Sequence, residues 1–351
     1  MMKRFITILL CAIICCPTFA KNKALLIGIG RYKTDSGWRD ISSTNDIIII
    51  KKSLPSSFDV QTLEDSQATY ENILYALESL ISYAEEGDTI LFHFSGHGQQ
   101  MVALDSDEPD GLDEALVPYD APNHKNDSYN GERHLKDNEL GEYIDGLRKQ
   151  VGVTGFVIIC LDACYSDSMN RGEGSNSIIC RGGADIFGID NLSQAEVATI
   201  YKKRICDENI WFDKGNGLSD IVVLSACKSY QTNHEIKKNG VGYGPLSYAI
   251  AESFSGKEHL NIQEWLDKVL SIMHYEAYEQ EPVIRTTLEY QNPPKEIIVD
   301  SVDSAKNNDE QKDILDGITS PDYVLIPFIV LLFFGVVIFI FIVIKYGKRN
   351  K

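Results

Sequence analysis

Phe156-Val-Ile-Ile-Cys-Leu-Asp-Ala-Cys164 is an apolar run that stops abruptly on an acid, a small residue and a cysteine. A short continuous apolar stretch of this kind reads as a parallel strand buried on both faces. In an open α/β sheet the catalytic and binding groups gather at the carboxyl ends of such strands, so Cys164 stands where chemistry is expected. A second run, Asp88-Thr-Ile-Leu-Phe-His-Phe94, ends in Ser95-Gly-His-Gly-Gln99 and places an imidazole on a glycine-flanked loop. His97 and Cys164 at two strand ends form a candidate thiol–imidazole dyad, because a thiol is mostly protonated at neutral pH and needs a neighbouring base to become a nucleophile.

Working outward, Ala24-Leu-Leu-Ile-Gly-Ile-Gly30 reads as the first buried strand, and Ser43-Thr-Asn-Asp46 opens a helix with short polar side chains suited to capping its free amides. Phe58 to Leu63 reads as an edge strand. Ile73, Leu74, Leu77, Leu80 and Ile81 recur at helical spacing within 69–84, one apolar face to lay on a sheet. Residues 101–137 read as loop, dense in acids and turn residues, and Leu140, Tyr143, Ile144 and Leu147 mark a helix over 138–149. After Cys164 comes a polar, Gly-rich insertion, 165–216, around a helix at 192–204. Ile221-Val-Val-Leu-Ser-Ala226 is a further buried strand, Pro245 starts a helix at its favoured first position, and Asn261-Ile-Gln-Glu264 is a capping box for another. Pro282 to Leu288 reads as a last strand. Alternating strands and helices predict a doubly wound α/β fold with a mostly parallel central sheet.

The two ends differ in kind. Lys3 and Arg4 precede the apolar run Phe5 to Cys16, and Thr18-Phe19-Ala20 supplies small residues where a signal peptidase reads, so 1–20 is expected to be a signal peptide. Residues 323–345 hold an apolar stretch, Val324 to Ile344, followed at once by Lys345, Lys348, Arg349 and Lys351, the pattern of a transmembrane helix with a basic cytoplasmic tail at 346–351. The expected organisation is a globular domain over 21–299, a polar linker over 300–322 and a single membrane pass, with the body exported to the periplasm, the outside or a lumen. The chain has 33 basic and 51 acidic residues; without the six basic residues of the two ends, 27 remain against 51, a net −24. Such a field disfavours nucleic acid and attracts cationic partners. Of the five cysteines beyond residue 20, Cys160 and Cys227 read as packed thiols in strands, while Cys180 and Cys206 in the insertion are placed to pair in an oxidising compartment.

Phe94-Ser-Gly-His-Gly-Gln99, Asp110-Gly-Leu-Asp-Glu114 with Val117-Pro-Tyr-Asp120, Leu161-Asp-Ala-Cys164 and Leu224-Ser-Ala-Cys-Lys-Ser-Tyr-Gln-Thr232 resemble, in order, the successive blocks of metacaspases, the caspase-related cysteine peptidases. The resemblance spans roughly 23–299. It implies a caspase-like α/β/α sandwich, His97 as general base, Cys164 as nucleophile, and the amides of Gly98 and Cys164 as oxyanion donors. Peptide cleavage would pass through a thioester and follow Arg or Lys, held by Asp162 and Asp46; two carboxylates suit a guanidinium's paired hydrogen bonds. Substrates would be peptides or proteins with basic residues. No cofactor is needed for the chemistry, but many metacaspases need calcium, and Asp113 and Asp137 match positions of that site, with Lys136 where a second acid is expected. Tyr165-Ser166-Asp167 replaces the family's usual His-Ser-Gly, and Ser43 its first-helix cysteine. Caspase relatives are often cut where 165–216 lies, and Arg181, Lys203 and Arg204 are self-processing candidates, Arg181 foremost because two glycines follow it. The rival readings are a caspase-fold transamidase and a non-catalytic caspase-fold binding module.

Overall fold

The computed structural model describes residues 22–103, 111–165, 179–183, 185–203, 215–229, 231–254 and 261–288. The first and last segments of the chain, including 1–20, the linker and 323–345, lie outside them, as does Cys206. Among the described residues no helix is long and apolar enough to cross a membrane.

Six strands form the central sheet: β1 (Asn22–Gly28), β2 (Phe58–Glu64), β3 (Thr89–Ser95), β7 (Phe156–Asp162), β8 (Asp220–Ser225) and β11 (Val283–Thr286). Their order is β11-β8-β7-β3-β1-β2, with every neighbouring pair parallel except β11 against β8. Between β8 and β11 in the chain, β9 (Ile236–Lys238) and β10 (Val241–Tyr243) pair as a separate antiparallel hairpin. The phase of each central strand divides its side chains between two cores, as a period of two requires. Leu25, Ile27, Ile90, Phe92, Phe94, Val157, Ile159 and Leu161 face one core, and Leu26, Leu91, Ile158, Cys160, Val222 and Leu224 the other. Helices α2 (Tyr70–Tyr83) and α3 (Asp137–Val151) cover the first. Helices α1 (Ser43–Ser53), α5 (Pro245–Phe254) and α6 (Ile262–Glu276) cover the second, where Trp265 is buried against Phe254 with ring centroids 5.4 Å apart. The result is the expected sandwich, and β2 lies at the edge as its half-polar sequence predicts.

Two expectations need correction. Residues 101–137 are not all loop: β4 (Gly98–Val102), β5 (Leu112–Leu116) and β6 (Leu135–Lys136) pair in an antiparallel three-stranded sheet. Its pattern escapes a periodicity search because Gln99 and Gln100 are buried polar residues: Gln99 Nε2 donates to the Asn123 and Asp185 carbonyls, its Oε1 meets His134 Nε2 at 2.9 Å, and Gln100 donates to Glu114. The start of α1 is also not built as its polar residues suggest, since Ser42 at the N-cap makes no side-chain capping bond and Asp46 points elsewhere. By contrast, Asn261 accepts from the Glu264 amide as expected. In the insertion, α4 (Gln194–Lys203) is helical within a residue or two of the expected bounds.

Candidate active site

Parallel pairing of β3 and β7 puts Ser95 opposite Asp162. Each strand then continues two residues past its end, so His97 and Cys164 emerge side by side at the carboxyl edge of the sheet. Both are buried, at 1% and 0% exposure. The His97 ring stacks on Trp38 at 4.7 Å and lies 5.0 Å from Tyr32, whose hydroxyl accepts from the His97 amide. His97 Nε2 lies 2.9 Å from the Arg39 carbonyl. A carbonyl only accepts, so the ring carries its proton on Nε2, and Nδ1 is left with a lone pair and no hydrogen-bond partner among the described residues. Burial pushes the His97 pKa down to about 4, with the Arg39 carbonyl opposing, so the imidazole is neutral at neutral pH. Cys164 Sγ is 2.9 Å from the Gln231 carbonyl.

A segment of the chain itself occupies the cleft between these groups. Ile179 to Gly183 runs through it as a strand: the Glu235 amide donates to the Ile179 carbonyl (2.9 Å), Cys180 bridges His234 in antiparallel fashion, and the Arg181 amide donates to the Asn233 carbonyl (3.1 Å). Beyond Arg181 the partner changes to β4, with Gly182 bridging Gly98 in parallel and the Gly183 amide donating to the Gly98 carbonyl (2.9 Å). Adding an extended segment to an exposed strand edge is a general mode of peptide recognition, in which the main chain supplies affinity and pockets read the side chains. The Arg181 carbonyl oxygen accepts from two amides at once, Cys164 at 3.1 Å and Gly98 at 3.2 Å. Gly98 must lack a side chain for this, since a Cβ there would stand 2.7 Å from the Cys164 carbonyl oxygen.

The Arg181 side chain is fully buried in an acidic pocket. Nη1 donates to Asp46 Oδ2 (2.8 Å) and Ser95 Oγ (2.6 Å), Nη2 donates to Glu235 Oε1 (3.0 Å), and Asp162 Oδ1 lies 3.7 Å away. Gly244 forms the floor, where a Cβ would come within 2.5 Å of Nη1. Burial works against the guanidinium's charge, and Asp46, Asp162 and Glu235 outweigh it and hold its pKa above the ordinary value. Burial pushes Asp46 up to about 7, with Arg181 opposing and Asp162 adding to the rise. Asp162 also braces the backbone around it, since its Oδ2 accepts from the amide and hydroxyl of Ser247 in the first turn of α5 and its Oδ1 accepts from Asn233. It is therefore both a wall of the pocket and a cap on neighbouring backbone.

Sequence reasoning named Asp46, Asp162, His97, Cys164, Gly98 and Arg181, and the fold brings all six together. It missed Ser95, Glu235 and Asn233. Ser95 lies inside a quoted motif, two residues before His97; Glu235 is a lone acid three residues past the last motif, with nothing in its spacing to mark it. The remaining candidates lie apart. Asp113 is paired with Lys136, and Asp137 opens α3, where burial pushes its pKa up to about 6. Among the described residues no group of three or more His, Cys, Asp or Glu side chains is placed to hold a metal ion, and the acids at 105–110 lie outside them. Lys203 ends α4, and Arg204 is outside the described residues. Cys160, Cys164, Cys180 and Cys227 are thiols; Cys180 Sγ lies 3.4 Å from His234 Nδ1.

A thiol, a neutral imidazole and two converging amides at adjacent parallel strand ends, on a sheet covered by helices on both faces, define a caspase-like α/β protein. The model of the Caspase domain family matches residues 21–292, and the chain belongs to that family. Metacaspase-1 of Schizosaccharomyces pombe is 27% identical over 294 residues, covering 75% of this chain and 66% of the relative. Metacaspase-1 of Mycosarcoma maydis is 26% identical over 294 residues, covering 76% and 70%. The chain thus spans about two thirds of these relatives' length. Among solved structures, protein GSU0716 from Geobacter sulfurreducens aligns with a TM-score of 0.49 at 18% identity, covering 78% of this chain and 95% of that one.

Proposed function

We propose that the protein is a cysteine endopeptidase that cleaves after arginine and, less readily, lysine, and that its first substrate is its own Arg181–Gly182 bond. The observation that carries this reading is the double engagement of Arg181: its guanidinium sits among the pocket acids while its carbonyl oxygen accepts from the Gly98 and Cys164 amides. Those amides are where an oxyanion would need donors.

In the proposed reaction the Cys164 thiol leaves the Gln231 carbonyl and gives its proton to His97 Nδ1. Sulfur then attacks the Arg181 carbonyl carbon, and the negative charge that develops on oxygen is held by the two amides. Collapse breaks the C–N bond; Nδ1 returns the proton to the Gly182 nitrogen, which leaves as a free amine. Water, deprotonated by the same nitrogen, cleaves the Arg181 thioester and restores the thiol, leaving an arginine carboxylate. Every step uses groups of this chain, with no cofactor. A neutral His97 suits the first step, because a protonated ring could not accept. A segment seated this way blocks other substrates until it is cut or displaced, which suits an exported enzyme that must be restrained during synthesis. Export and a single membrane pass are part of the proposal, supported by the apolar runs at 5–16 and 324–344 with their basic flanks.

The test is to incubate the full chain beside Cys164→Ala and sequence new N-termini. A fragment beginning at Gly182 in the wild type, with the rate lowered by about a thousandfold or more in the variant, is expected. A folded Cys164→Ala chain that is cut at the same rate would remove the mechanism.

A further inference from the structure

We propose that Glu235 is the residue that makes the pocket select arginine over lysine, an inference that rests on the Arg-directed reading above. The pocket groups divide by the nitrogen they meet. Asp46 and Ser95 both take Nη1, the position that a lysine ammonium can also occupy. Among the described residues Glu235 alone takes Nη2, for which lysine has no counterpart. The guanidinium is thus held from two sides, by α1 through Asp46 and by the segment before β9 through Glu235.

Loss of the Nη2 bond falls on the protein rather than on the substrate. Glu235 is only 2% exposed, its Oε2 has no hydrogen-bond partner among the described residues, and its Oε1 otherwise accepts only from the Ser42 amide (2.6 Å). With lysine bound, the buried Glu235 carboxylate would keep its hydrogen bond from Ser42 and lose the one from a cation. A site that leaves its own buried polar group unpaired rejects the shorter analogue far more strongly than one that merely loses a contact. Glu235 is also fixed in depth relative to the substrate backbone. Its amide donates to the Ile179 carbonyl and the Asn233 carbonyl accepts from the Arg181 amide, so the segment that reads the main chain also carries the group that reads the side chain.

A merely structural role, holding the start of α1 through Ser42, would lower hydrolysis of all substrates alike. The experiment therefore compares the full-length wild type and Glu235→Gln, which keeps an acceptor for the Ser42 amide, on matched fluorogenic peptides with arginine or lysine before the reporter. The wild type is expected to prefer arginine by about a hundredfold in kcat/KM. In Glu235→Gln that ratio should fall by about tenfold or more, through a slower arginine reaction and an unchanged or faster lysine one. An unchanged ratio in the active variant overturns the proposal. Should Glu235→Gln fail to fold, Arg181→Lys in the otherwise natural chain decides: self-cleavage slowed by about tenfold or more supports selection, and cleavage as fast as after Arg181 overturns it. Equal cleavage after both residues would leave the peptidase reading standing, whereas a wild type that cuts neither itself nor either peptide would remove both.

Discussion

Asp46, Asp162 and Glu235 surround a guanidinium, while Asp113 lies against the ammonium of Lys136 with Asp137 next in sequence, and the two groups of acids handle positive charge in opposite ways. In the first, every side chain is 2% exposed or less and the cation comes from far along the chain. In the second, the cation is Lys136 on the strand paired with β5, and about a third of its side chain is in water. Water reaches the cation of the second group and not that of the first. The buried group therefore meets its cation at both terminal nitrogens, whereas the partly open one meets a single ammonium.

Asp46→Ala should break this contrast most visibly. It leaves a buried guanidinium short of its nearest carboxylate, and in a Cys164→Ala background urea denaturation is expected to show a loss of about 3 to 5 kcal/mol. With Cys164 intact, the same change should suppress the fragment starting at Gly182.

The next effect is on pH. Asp46, raised to about 7, takes up a proton on folding that the unfolded chain, near 3.8, gives up; its contribution to stability therefore falls as pH rises from about 4 to about 7 and is flat above. Only the ionised form offers Arg a charge-assisted bond, so cleavage should climb through about pH 7. His97, near 4, is already a free base over that range. Rates measured against pH should thus lose their limb near 7 in Asp46→Asn, with any remaining acid limb moved toward 4. A limb unchanged in Asp46→Asn would assign it to another group.

The smallest effect is expected in the second group. Lys136→Met should cost about 1 kcal/mol, as for a partly exposed pair, and should leave cleavage after Arg181 unaltered. A large loss of arginine cleavage would mean that the two groups are coupled.

Periodicity and composition were enough for the layers of the fold, because each central strand is a short apolar run buried on both faces and each covering helix shows one apolar face. They failed at β4, where Gln99 and Gln100 are buried polar residues whose side-chain amides donate to partners up to 86 positions away. Asp46 is instructive in the same way. As a sequence feature it reads equally as helix-start chemistry, and only its 2.8 Å approach to Arg181 separates the two roles.

By itself the sequence marked candidates for chemistry at the strand ends: His97 and Cys164 from runs that stop abruptly, and Asp162 and Gly98 from the resemblance to metacaspases. It also marked Arg181 as a basic residue before two glycines. What only the tertiary structure decided is that Arg181 is seated in the pocket, that its carbonyl lies between the Gly98 and Cys164 amides, and that Glu235 completes the clamp. These are contacts between residues from 17 positions apart (Cys164 to Arg181) to 135 (Asp46 to Arg181), set by which strands pair and where each ends. Local patterning constrains a residue's own burial; it holds no information on which distant side chain will share that burial, because that depends on the order of strands in the sheet.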